Sequence, residues 1–128
     1  MKKILILLIA TVLYSFTSFD QKQDTLRVLN SGKWSIKAAI YGDQNRSFTE
    51  EDQKSNWMVF HKDGKYEVMT RGILSTGTWK LNKKENVIVI KNNKKTYHQK
   101  IVKINNEELA MESQINGLKV VLNLKKSS

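Results

Sequence analysis

Gly32-Lys33-Trp34-Ser35-Ile36-Lys37-Ala38-Ala39-Ile40 is the stretch that decides how this chain reads. Trp34, Ile36, Ala38 and Ile40 alternate with Lys33, Ser35, Lys37 and Ala39. A period of two describes a strand with one buried face, because successive side chains leave a strand on opposite sides. The strand is entered through a glycine and anchored by a tryptophan. A Trp on a first strand reads as a plug that seals one end of a closed sheet.

The same grammar continues downstream. Residues 42–55 lose the alternation, and Ser47 or Thr49 can cap a short helix there. Glu50, Glu51 and Asp52 would fall in its first turn, where carboxylates complement the helix dipole. A strand over 56–61 sets Trp57, Val59 and His61 against Met58 and Phe60. Asp63-Gly64 then predicts a tight hairpin into a strand over 65–71 that carries Tyr66 and Val68 on one face. Gly72 ends or bends that strand, and the next runs over 77–81 with Trp79 and Leu81 on the same side.

Residues 87–90, Val-Ile-Val-Ile, are apolar on both faces and predict a strand covered on both sides. A strand over 95–104 sets Tyr97, Gln99 and Ile101 against His98, Lys100 and Val102. Asn116-Gly117 is a second tight-hairpin signal, joining strands over 109–114 and 118–124. The expected fold is all-β: about eight antiparallel strands in an up-and-down barrel, with one short helix after the first strand. Proline is absent, which removes the usual edge-strand blocker and agrees with a closed sheet.

Three segments follow: 1–20 as a signal peptide, 21–30 as an N-terminal linker and 31–126 as the barrel domain. Lys2 and Lys3 precede an apolar run over 4–16, and Thr17 and Ser18 lead into the polar run 20–24. That order predicts export to the periplasm or the outside of the cell, with no membrane span left once the signal is removed. Cysteine is absent, so the chain has no lipobox thiol, disulfide, thiol nucleophile or thiolate metal site.

The formal charge is +10, and removal of residues 1–20 leaves 20 basic against 11 acidic residues. The lysines stand singly at alternating positions, such as Lys33, Lys37, Lys80 and Lys119, and there are three arginines. This is the charge of a solvated wall and not a nucleic-acid footprint. Peripheral contact with an anionic envelope surface is the partner it suits.

Chemistry-bearing motifs are thin. His61 and His98 sit on separate strands with no acidic residue at a matching alternation, so no metal site is expected. Glu50, Glu51 and Asp52 are neighbours on a helix and do not face one another, as acid–base work would need. No catalytic residue, cofactor or enzymatic activity is expected. The aromatic residues Trp57, Tyr66, Trp79 and Tyr97 are assigned to the inside of the barrel, with Val68 and Ile101 beside them. These residues are the candidate walls of an apolar ligand pocket.

Gly32-x-Trp34, the run Trp57-Met58-Val59-Phe60 with His61-Lys62-Asp63-Gly64-Lys65-Tyr66, and Gly77-Thr78-Trp79-Lys80-Leu81 together resemble a small secreted bacterial lipocalin-like domain. The hairpin over 109–124 extends the resemblance to nearly all of 29–125. It implies a barrel that binds a small hydrophobic or amphipathic molecule. Gly32 and Trp34 would be the first-strand motif, with Lys125 as the basic residue over the Trp. The chain is shorter than a typical lipocalin and shows no clear C-terminal helix. The alternative is an envelope structural or interaction domain with a filled core and a basic surface.

Overall fold

The computed structural model describes residues 25–93 and 95–127, so the signal-peptide segment lies outside the described residues. Residues 25–29 are helical (α1), in the part of the chain expected to be linker, and Val28 and Leu29 are buried in the core. Nine strands follow: β1 Lys33–Tyr41, β2 Gln44–Ser47, β3 Trp57–Phe60, β4 Lys65–Thr70, β5 Ile73–Asn82, β6 Val87–Asn92, β7 Lys95–Ile104, β8 Glu108–Ile115 and β9 Leu118–Lys126. Helix α2, Glu50–Lys54, lies between β2 and β3. Every pairing is antiparallel, and β1 pairs with both β3 and β9. Strands β1 and β3 to β9 therefore close an eight-stranded up-and-down barrel, with β2 added alongside the second half of β1.

One end of the barrel is closed and packed. Trp34 is fully buried there, its indole N–H donates to Leu29 O at 3.3 Å, and Lys126 Nζ lies 5.1 Å from its ring centroid. Lys126 is the residue directly opposite Trp34 on β9, so it takes the place expected of Lys125, which is exposed. Above this floor Met58, Phe60, Tyr66, Trp79, Ile88, Ile101, Leu109, Met111 and Leu124 form one continuous core with α1. Lys33, Lys80 and Lys119 point to solvent, while Leu122 is half-buried against the core.

Several local features depart from simple alternation. The β1–β9 register slips between Ile36 and Ala38, so Ala39 and not Ala38 continues the inward face of Trp34 and Ile36. A bulge of this kind adds one residue to one strand and flips the parity beyond it. In β3 the pair Trp34↔Met58 puts Met58 and Phe60 inside and turns Trp57 and Val59 outward. Strand β5 begins at Ile73, because Arg71 and Gly72 form a two-residue turn and Thr70 pairs with Ile73. In β6, Ile88 and Ile90 are buried and Val87 and Val89 half-buried on the outer wall.

The turns follow the chemistry of their residues. Asn116 and Gly117 both take positive φ (53° and 78°), the geometry that matches a two-residue hairpin to strand twist. Asp63-Gly64 lies in a longer loop, where the His61 N–H donates to Lys65 O and the Gly64 N–H to His61 O. Thr49 caps α2: its hydroxyl accepts from the Asp52 N–H while the Asp52 carboxylate accepts from the Thr49 N–H. Asn56 ties that helix to the β4–β5 turn by donating to Asp52 O and accepting from the Arg71 N–H. Gly77 is required by space, since a Cβ there would lie 2.2 Å from Lys91 O on the neighbouring strand.

Candidate functional site: the open end of the barrel

The end opposite Trp34 carries the turns β1–β2, β4–β5, β6–β7 and β8–β9. Alternation from buried neighbours places Tyr41, Ile73, Tyr97, Ile115 and Leu118 on the inward face at this rim. All of them are nevertheless between 41% and 73% exposed. A residue that faces inward and still meets solvent marks an opening. Here five apolar or aromatic side chains, from β1, β5, β7, β8 and β9, surround one.

Beneath the rim the inward positions turn polar. Asn92 Nδ2 donates to Ser75 Oγ at 2.8 Å, and Gln99 and Ser113 stand among the half-buried inward residues. Asn92 Oδ1 and Gln99 Oε1 are buried with no hydrogen-bond partner. Leaving such a group unpaired costs about 1–3 kcal/mol, so the interior has unmet polar valence as well as apolar wall. Among the described residues the charged side chains at inward positions are Lys95, opposite Asn92 at the open end, and Lys126 over Trp34 at the floor.

The wall itself opens on one side. The β7–β8 ladder ends at Lys100↔Glu112, although β7 continues to Lys95 and β8 to Ile115. Residues 95–99 remain paired with β6 and residues 113–115 with β9. The two strands therefore part as ordered strands. A recess of about 360 Å³ lies at this seam, lined by Tyr97, Ser113 and Ile115 from the inward set and by Val87, Thr96, His98, Lys100, Glu112 and Gln114 from the outward set. That volume is in the range of small-molecule sites, roughly 300–1,000 Å³.

The six sequence-selected residues fall into three groups. Tyr66, Trp79 and Ile101 are buried, and Val68 packs against them. The Phe60 ring lies 5.4 Å from both Tyr66 and Trp79, tilted to the first and edge-on to the second, so this aromatic group is packed floor. Tyr97 is at the rim. Trp57 is not brought to the site: it lies on the outer wall, with Lys33 Nζ 4.3 Å above its ring. The rim residues Tyr41, Ile73, Ile115 and Leu118 were not selected from the sequence, and neither was Gln99. A glutamine between Tyr97 and Ile101 in an inward alternation is the one signal that could have found it.

Burial raises the Tyr66 hydroxyl pKa well above its ordinary 10.0, with a smaller push from Tyr97. The folded protein thus holds this proton where the unfolded chain has lost it. The stability this confers is full below about pH 10 and is lost as pH rises above it. Urea midpoints measured at pH 8 and pH 11 should fall less in Tyr66→Phe than in the parent chain. Equal falls would show that Tyr66 ionises freely.

Elsewhere, His61 Nε2 lies 3.3 Å from Glu67 Oε1 on the outer wall. No group of three or more His, Cys, Asp or Glu residues is placed to hold a metal among the described residues. No helix among them is long and apolar enough to cross a membrane. No family model matches this chain, and no curated protein matches it in sequence.

Proposed function

We propose that this protein is an exported, non-enzymatic binding protein that takes a small amphipathic ligand at the open end of its barrel. The observation that carries this reading is the rim of inward-facing yet exposed apolar side chains, Tyr41, Ile73, Tyr97, Ile115 and Leu118, above unpartnered polar atoms. Apolar surface in a concave, partly dry setting favours an apolar guest by about 25 cal/mol per Å² removed from water. The packed aromatic floor limits how deep a guest can go. The resemblance of the first strand to lipocalins and the signal-like start of the chain agree with this reading.

The test is a titration with the neutral fluorophore N-phenyl-1-naphthylamine. Binding in the micromolar range, about −8 kcal/mol, is expected. Tyr97→Ala should weaken it about tenfold and Trp57→Ala by less than about twofold, since only Tyr97 stands at the rim. No emission change with this or with other uncharged apolar probes would refute the reading.

A second reading has its own observation. Lys33, Lys54, Lys125 and Lys126 line a groove of about 520 Å³, with Trp57 at its side and Glu50 as the carboxylate among its lining residues. Such a groove suits an anionic envelope polymer. Binding of a polyanion that disappears with salt, without any apolar-probe binding, would favour it.

A further inference from the structure

We propose that the open end of the barrel is a docking surface for an anionic lipid bilayer, which it meets with its rim side chains and turn tips. This goes beyond the ligand reading and does not depend on it. Seven large hydrophobic side chains are exposed among the described residues, and six of them, Tyr41, Ile73, Leu74, Tyr97, Ile115 and Leu118, stand at this one end. The seventh, Val102, lies on the outer wall at the β7–β8 bulge. Exposed apolar side chains scattered singly are ordinary, but a cluster of them at one end marks a contact surface.

Charge at this end selects the occupant. Arg46, Arg71, Lys91 and Lys95 are exposed in the strand ends and turns there, against Asp43 as the exposed carboxylate. Lys119 is at the same end, with its ammonium 3.6 Å from Glu112 Oε1. The carboxylates of Asp63, Glu85, Glu107 and Glu108 lie at the opposite end, in or beside the turns β3–β4, β5–β6 and β7–β8. A surface both apolar and basic fits an anionic bilayer: its apolar side chains enter the head-group boundary, and each basic residue near the surface adds attraction. Tyr41 and Tyr97 supply amphipathic rings of the kind that settle at head-group level. Shape disfavours a protein partner. The apolar side chains ring an opening, with the polar turn residues Asn92, Asn93 and Asn116 between them. A packed protein face would bury those amides, whereas a hydrated head-group layer keeps them solvated.

The chain has no cysteine, so a single introduced thiol can carry a label. An environment-sensitive fluorophore on Ile73→Cys should gain about twofold or more in emission on vesicles of equal parts phosphatidylcholine and phosphatidylglycerol. The same label on Val102→Cys should stay unchanged. Comparing the two sites in the full chain reads which face meets lipid, whatever residues 1–24 do on a vesicle. With the label on Ile73→Cys, adding Arg71→Gln and Lys95→Gln should raise the half-saturating lipid concentration about tenfold. Leu118→Asp should raise it by a similar factor, and about 0.5 M salt should act as the charge changes do. All these side chains are exposed, and circular dichroism confirms that each variant is folded.

No emission change at Ile73→Cys, or an equal change at Ile73→Cys and Val102→Cys, overturns the proposal. So does an equal response to vesicles of phosphatidylcholine alone, or an unchanged response in the charge and Leu118→Asp variants. A change that grows with protein concentration in the absence of vesicles would make the occupant a second copy of this chain, and it overturns the proposal as well. The N-phenyl-1-naphthylamine titration is run without vesicles, so the ligand reading stands or fails by its own result.

Discussion

Trp34→Ala is expected to cost about 3–5 kcal/mol of folding stability, as truncation of a large buried aromatic does. The indole is fully buried, donates to Leu29 O and lies under the Lys126 ammonium. Three parts of the closed end meet on it: α1, the start of β1 and the end of β9. Removing it opens a cavity, frees the helix from its hydrogen bond and leaves Lys126 without its ring. That lysine already has a pKa lowered by burial, so the ring supports a cation that has given up part of its water. The loss should appear as a lower urea midpoint with an unchanged slope. Trp57→Ala is the internal control. Its ring is partly exposed on the outer wall beneath the Lys33 ammonium and outside the core, so a loss of less than about 1 kcal/mol is expected. A Trp34→Ala loss below about 1 kcal/mol would show that the closed end is not organised by this residue.

The contrast between these two tryptophans shows where alternation informs and where it stops. Around Trp34 the outward partners are Lys33, Ser35 and Lys37, so only one face can be buried. Around Trp57 both faces are apolar, Trp57 and Val59 against Met58 and Phe60, and the sequence supplies no reason to choose. The choice is made by the register Trp34↔Met58, a non-local fact. The same holds for the bulge in β1: Lys37-Ala38-Ala39 carries two small residues in succession, and a strand can absorb an extra residue there without exposing a large one.

The turns were legible because their chemistry is local. Asn116-Gly117 and the Thr49 cap need only their own neighbours to specify them. The open end was not legible. Its rim residues, Tyr41, Ile73, Ile115 and Leu118, read individually as strand-end hydrophobics, and only barrel closure collects them. The seam beside Gln99 arises because β7 and β8 keep their outer partners while parting from each other. No local pattern encodes that divergence.

Trp79 separates a packed floor from a pocket wall, and its substitution has the second large effect. The indole N–H donates to His61 O at 2.8 Å, and the backbone N–H donates to Gly64 O at 3.0 Å. Its ring meets Phe60 edge-on, so one side chain joins the β3–β4 loop, the middle of β5 and the aromatic core. Trp79→Ala should therefore cost about 3–5 kcal/mol through the cavity it leaves. Trp79→Phe keeps most of the buried area but strips the donor from a half-buried carbonyl, at about 1–2 kcal/mol. Because the ring packs against Phe60 in the floor, Trp79→Phe should shift N-phenyl-1-naphthylamine affinity by less than about threefold while Tyr97→Ala shifts it about tenfold. The opposite pattern, binding abolished in Trp79→Phe with stability little changed, would place the guest against Trp79. The barrel interior and not its rim would then be the site.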